Sequence, residues 1–266
     1  MKNRIDHTFQ TKQNNILSIF FTAGYPALNS TIDILKSLDE SDADIIEIGI
    51  PYSDPIADGP VIQNSSDVAI KNGMNLKILF QQLQELRSVT QKPILLMGYL
   101  NCVLQYGIEN FYKDFHNVGI DGLILPDLPI EEYESKHKQL AEHYNIHVVF
   151  LVSPSTNTER ILQIDNVSKG FIYVVSSNAT TGSDKNTGNS LNQIFEKLNA
   201  LQLKNPLLIG FGIKNNHDFK AACQHANGAI IGSAFINAIS ESNNLKTDIL
   251  NFVSSITSPN YDYSTR

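Results

Sequence analysis

Cysteine is scarce in this chain: 266 residues hold only Cys102 and Cys223. Neither has metal-ligand spacing or a partner pattern, so a reduced, cytosolic compartment is expected. No apolar run approaches the roughly 20 residues needed to cross a bilayer. The first residues lack the basic-then-apolar order of a secretory signal. Basic charge is also short. The formal net charge is -7, and the Lys and Arg residues scatter over helical segments as a solvated surface. Binding to nucleic acid needs a dense basic stripe instead. No linker, composition break or low-complexity tract divides the chain. A single domain over residues 1–266 follows, with no membrane and no nucleic-acid partner.

What is present is a 42% hydrophobic content, enough for one large core. Strand-like runs recur at 16–21, 44–49, 93–97, 122–125, 147–152, 170–175, 206–210 and 228–231. They are short and rich in Ile, Leu and Val, as expected of strands covered on both faces. Segments of helical periodicity lie between them. Ile32, Leu35 and Leu38 sit three apart, and Leu76, Leu79, Leu83 and Leu86 share one helical face. Further helical segments are expected at 111–117, 131–143, 159–164, 191–203, 217–224 and 248–257. This alternation predicts an α/β fold, a closed (β/α)8 TIM barrel, with an open doubly wound sheet as the rival. Residues 1–13 should add a helix closing the barrel bottom, and 258–266 a frayed tail. Two connections, 50–75 after the second strand and 176–189 after the sixth, are too long for simple links. Both leave the strand ends where barrels place chemistry, so mobile loops are expected there. The second is polar and glycine-containing, and reads either as a lid or as an unstructured insertion.

Glu47 lies in Ala-Asp-Ile-Ile-Glu-Ile-Gly-Ile-Pro. Strand alternation puts Ile45, Glu47 and Gly49 on one face. If that face is the barrel interior, desolvation raises the carboxyl's pKa and suits it to proton transfer near neutrality. A structural acid paired with a buried donor is the alternative. Asp58 falls in Asp54-Pro55-Ile56-Ala57-Asp58-Gly59-Pro60, where Asp before Gly is also common turn chemistry. Asp127 and Tyr173 carry the same ambiguity.

Gly210-Phe211-Gly212-Ile213 ends the seventh strand, and Gly232-Ser233-Ala234-Phe235 follows the eighth and opens a short helix. Glycines admit an anion close to backbone N–H groups, and a helix N-terminus adds favourable partial charge. Loops after these two strands are a barrel's usual phosphate site; a plain turn is the other reading. A Schiff-base aldolase needs a lysine at the catalytic end of a strand, yet Lys92, Lys169 and Lys204 precede theirs. A zinc enzyme needs clustered histidines, which the pattern does not offer, so no metal is expected. Carbon–carbon cleavage here requires a substrate that supplies its own electron sink.

Phe21-Thr22-Ala23-Gly24-Tyr25-Pro26, the run from Glu47 to Pro60, Gly210-Phe211-Gly212-Ile213 and Gly232-Ser233-Ala234 resemble, in order, the motifs of the tryptophan synthase alpha chain family. The resemblance implies a lyase that splits indole-3-glycerol phosphate into indole and glyceraldehyde 3-phosphate. It implies Glu47 as acid/base and Asp58 as acceptor of the indole N–H. Tyr173 would be the active-site tyrosine near Glu47 and the substrate, and Phe20, Tyr99 and Phe211 would line the indole pocket, core packing being their alternative, with Gly182, Gly212, Gly232 and Ser233 on the phosphate and Thr181 in the lid. It further implies a cofactor-free chain in an α₂β₂ heterotetramer, whose beta chain carries pyridoxal phosphate and receives indole through a tunnel. A free-standing lyase and an inactive allosteric partner are the alternatives. The lid departs from the family pattern at Ser177 and Ala179, where arginine and glycine are usual, and Cys102 stands where proline is frequent.

Overall fold

A computed structural model describes residues 2–175, 187–210 and 212–258, with residues 187–193 as backbone alone. Its strands are β1 (Ile16–Thr22), β2 (Ile45–Gly49), β3 (Ile94–Met97), β4 (Gly122–Ile124), β5 (His147–Val149), β6 (Leu151–Val152), β7 (Ile172–Val175), β8 (Leu207–Gly210) and β9 (Gly228–Ile231). All pair in parallel, in the order β5-β4-β3-β2-β1-β9-β8-β7-β6. The two ends of that order are halves of one run, parted only by Phe150. The Phe150 carbonyl accepts from Tyr173 N–H at 3.0 Å, and Lys169 N–H donates to the Val148 carbonyl at 3.1 Å. The chain itself therefore closes the ring. The eight expected runs are all there, and the fifth is divided, which makes nine pieces.

Helices cover the outer face. Leu35 and Leu38 are fully buried in the helix Ser30–Asp39, with Ile32 at its margin. Leu76, Leu79, Leu83 and Leu86 are all buried although a 3₁₀ turn, Leu83–Glu85, interrupts their helix. Each such side chain contributes about 1.5–3 kcal/mol by leaving water. Asparagines open five of the helices: Asn3, Asn75, Asn157, Asn215 and Asn244 each accept a backbone N–H of the first turn.

Two expectations need revision. The connection 50–75 contains a helix, Pro60–Lys71, started by proline at its first position. Its buried residues are Ser65, Ser66 and Ala69, small side chains that give no hydrophobic periodicity to read. The segment 131–143 is broken by a π turn, Tyr133–His137, between Ile130–Glu132 and Lys138–His143.

The helix Arg4–Thr11 sits under the barrel. A Cβ on Gly122 would stand 2.8 Å from Ile5 Cδ1, so the Ile5 side chain plugs the floor. Asp121 clamps this end, accepting from Arg4, Arg87 and the Ile94 N–H. Residues 259–266, most of the expected tail, lie outside the described residues. Among the described residues no helix is long and apolar enough to cross a membrane.

Candidate active site

Register settles which way Glu47 points. It pairs with Phe20 on β1 and Leu95 on β3, and its carboxyl Oε1 accepts a 2.7 Å hydrogen bond from Ser18 Oγ. Ser18 and Phe20 share a face of β1, and side chains of paired residues in a parallel sheet project together. Both sides of the barrel wall are covered, and Glu47 is fully buried with Oε2 lacking any partner among the described residues. Burial pushes its pKa from 4.5 up to about 7, partly offset by the Ser18 hydroxyl, which favours the charged form. A carboxyl so poised both gives and takes a proton at neutral pH.

Two residues above Glu47 on the same face, Gly49 lines a small cleft. Phe20, Ile50, Asp58, Met97 and Tyr99 are among its walls. Asp58 hangs over it from the loop after β2. The Tyr99 hydroxyl donates to Asp58 Oδ2 at 3.0 Å and accepts the Ala57 N–H at 3.0 Å, while Gln63 holds the Asp58 carbonyl at 2.9 Å. Tyr52 stacks on Tyr99, ring centroids 4.9 Å apart. Partial burial raises the Asp58 carboxyl to about 6, against the opposing effect of the Tyr99 hydrogen bond. Two acids with separated environments can divide roles, one holding a proton and one accepting a hydrogen bond.

Tyr173, on β7, is not among the walls of that cleft but lies near both acids. Its phenol pKa is driven well up by burial and then by the charges of Glu47 and Asp58. Gly210 makes room for it: a Cβ there would lie 2.2 Å from Tyr173 Cε2. Glycine at 49 does the same for Phe20, whose Cζ would be 2.5 Å from a Cβ. The other edge of the Phe20 ring lies against Gly232. One phenyl ring thus bridges the acid side of the chamber and the glycine side.

On that glycine side, Gly212 has φ +41°, and no atom of the described residues lies within 4 Å of where a Cβ would sit. Gly232 precedes the helix Ser233–Ile239, whose first hydrogen bond runs from Ile236 N–H to the Gly232 carbonyl. The N–H groups of Ser233 and Ala234 precede that bond and face outward from the helix start. Asp127 is different. Its carboxylate accepts the Leu100 N–H at 2.9 and 3.1 Å, capping the helix Leu100–Tyr106, so it is structural. Thr181, Gly182 and Phe211, with the departures Ser177 and Ala179, lie outside the described residues. Ser18 escaped the sequence reading, although its place two residues before Phe20 on one strand face was the available signal.

Residues 7–260 match the sequence profile described as Tryptophan synthase alpha chain. The chain belongs to the tryptophan synthase alpha chain family. It is 50% identical over 254 residues to the alpha chain of Flavobacterium psychrophilum, covering 96% of this chain and 99% of that one. It is 51% identical over 239 residues to that of Christiangramia forsetii, covering 90% and 93%. Among solved structures, tryptophan synthase of Mycobacterium tuberculosis superposes with a TM-score of 0.86 at 27% identity, over 96% and 97% of the chains. The alpha chain of Legionella pneumophila does so at 0.84 and 30%, over 96% of each. The chain is accordingly a lyase of tryptophan biosynthesis that cleaves indole-3-glycerol phosphate.

Proposed function

We propose that this cleavage runs on the Glu47–Asp58 chamber. Glu47, protonated, delivers its proton to C3 of the indole ring. The ring becomes an indolenine cation, and Asp58 accepts a hydrogen bond from the indole N–H and favours that positive charge. The bond between C3 and the side-chain carbon then breaks, its electron pair restoring the aromatic ring. The hydroxyl on the departing carbon loses its proton to the Glu47 carboxylate and becomes the aldehyde of glyceraldehyde 3-phosphate. The indole itself is the electron sink, so no lysine imine is required. Acid/base assistance of this kind contributes about 10²–10⁴-fold.

Phe20 and Tyr99, with Tyr173 and Phe211, pack against the ring system. Gly212, Gly232 and Ser233, joined by Gly182, present backbone N–H groups to the phosphate, with Thr181 in the closing loop. The single observation that carries the reading is the fully buried Glu47 carboxyl, with one oxygen held by Ser18 and the other without a partner among the described residues. The chain works without a cofactor of its own in the cytoplasm. It pairs in an α₂β₂ assembly with a beta chain that holds pyridoxal phosphate and takes up the indole. The exposed Ile56 on the loop after β2 suits such a contact face.

The test is indole release from indole-3-glycerol phosphate by the purified chain, alone and with a tryptophan synthase beta chain. Indole and glyceraldehyde 3-phosphate in equal amounts, formed faster with the beta chain, are expected. Full activity alone, unchanged on addition, would remove the partnership. No indole in either case would remove the activity.

A further inference from the structure

Glu47 and Ser18 are both fully buried, and their 2.7 Å bond is the only hydrogen bond to the carboxyl among the described residues. Ser18 is flanked in register by Ile45 on β2 and Ile230 on β9, neither of which carries a polar side chain. A serine hydroxyl has one proton to donate. We propose that Ser18 is a positioning residue for the cleavage: by donating to Glu47 Oε1 it fixes the carboxyl plane and reserves Oε2 for the transferable proton. This rests on the acid/base reading of Glu47 above.

A carboxylic acid can carry its proton on either oxygen, and among the described residues no hydrogen bond other than that of Ser18 distinguishes them. With Oε1 accepting from Ser18, the proton belongs on Oε2, the oxygen left without a protein partner. The same bond favours the ionised form and so restrains the upward effect of burial. The groups that face Glu47 from neighbouring elements are few. Phe20 on β1 and Leu95 on β3 do not ionise. Among the described residues Tyr173 on β7 is the titratable group that senses the Glu47 charge, as it also senses Asp58 on the loop, and burial keeps its phenol neutral.

The experiment compares Ser18→Ala, Ser18→Thr and Glu47→Gln in the full chain. It reads the pH profile of indole release and the infrared carboxyl titration of Glu47, taken as the difference from Glu47→Gln. In Ser18→Ala the carboxyl midpoint and the alkaline limb should rise together by about one unit or more, as a hydrogen bond to a charged acceptor is lost. Its kcat should fall roughly tenfold as orientation is lost, with KM changed less than about twofold. Ser18→Thr keeps the hydroxyl and should keep the wild-type midpoint. If Ser18→Ala does not fold, Ser18→Cys, close in size and a weaker donor, should show a smaller shift in the same direction. A folded Ser18→Ala or Ser18→Cys enzyme with wild-type midpoint and limb, beside an inactive Glu47→Gln, would remove the positioning role alone. Turnover surviving in Glu47→Gln would remove the acid/base reading and the positioning role together.

Discussion

Replacing Glu47 with glutamine should make the stability of the protein less sensitive to pH. Burial raises the native carboxyl from 4.5 to about 7, so the folded chain binds this proton more tightly than the unfolded chain does. For an acid shifted upward, the stabilising contribution is fully present below about 4.5 and is lost as pH rises through 7. Linkage puts the loss between pH 5 and pH 8 at about 2 to 3 kcal/mol. Glutamine is nearly isosteric and cannot ionise, so the variant escapes that loss. Asp58, raised to about 6, tilts stability the same way but is present in both proteins and cancels in the comparison. Urea unfolding followed by circular dichroism at pH 5, 6.5 and 8 reads the effect. The variant should gain on the wild type by that amount across the range, about 1 M in urea midpoint at ordinary denaturant slopes. A stability gap that stays constant with pH, or moves the other way, would refute a buried carboxyl with a raised pKa.

Three further outcomes follow from the same geometry. The kcat/KM for indole release should be bell-shaped, falling below about pH 6 as Asp58 is protonated and above about pH 7 as Glu47 ionises; a flat profile from pH 5 to 9 would contradict both assignments. Gly210→Ala puts a methyl 2.2 Å from Tyr173 Cε2. It should cost about 1–3 kcal/mol in melting experiments and lower kcat by roughly tenfold, and a wild-type rate would show that the ring is not held there. Asp121→Ala removes the acceptor shared by Arg4, Arg87 and Ile94. It should destabilise by about 3–5 kcal/mol and leave KM unchanged, because the clamp lies at the barrel floor; a raised KM without destabilisation would place it in the site instead.

Much of this was legible because periodicity and strand order are written in apolar residues. The eight runs became the barrel, and alternation alone placed Glu47 with Gly49 on one face. The helix Pro60–Lys71 was not legible, since its inner face is Ser65, Ser66 and Ala69 and its start reads as an Asp-Gly-Pro turn. The division of the fifth run at Phe150 leaves no mark in composition either; it reflects how the ring closes on Ser168 and Tyr173. At the site, residue types suggested acids but could not separate Asp58 from Asp127. Only the backbone N–H of Leu100, brought in by the fold, shows that Asp127 caps a helix. Ser18 was hidden for the same reason: a serine in a strand acquires meaning from the neighbour across the sheet.

The most direct measurement pairs substrate binding with turnover in Glu47→Gln. Calorimetry should give an affinity for indole-3-glycerol phosphate within a few-fold of wild type, since the acid acts in the transition state more than in the ground state. Indole formation should drop by about 10²–10⁴-fold or more. Turnover within tenfold of wild type, with the substrate bound as before, would contradict the account.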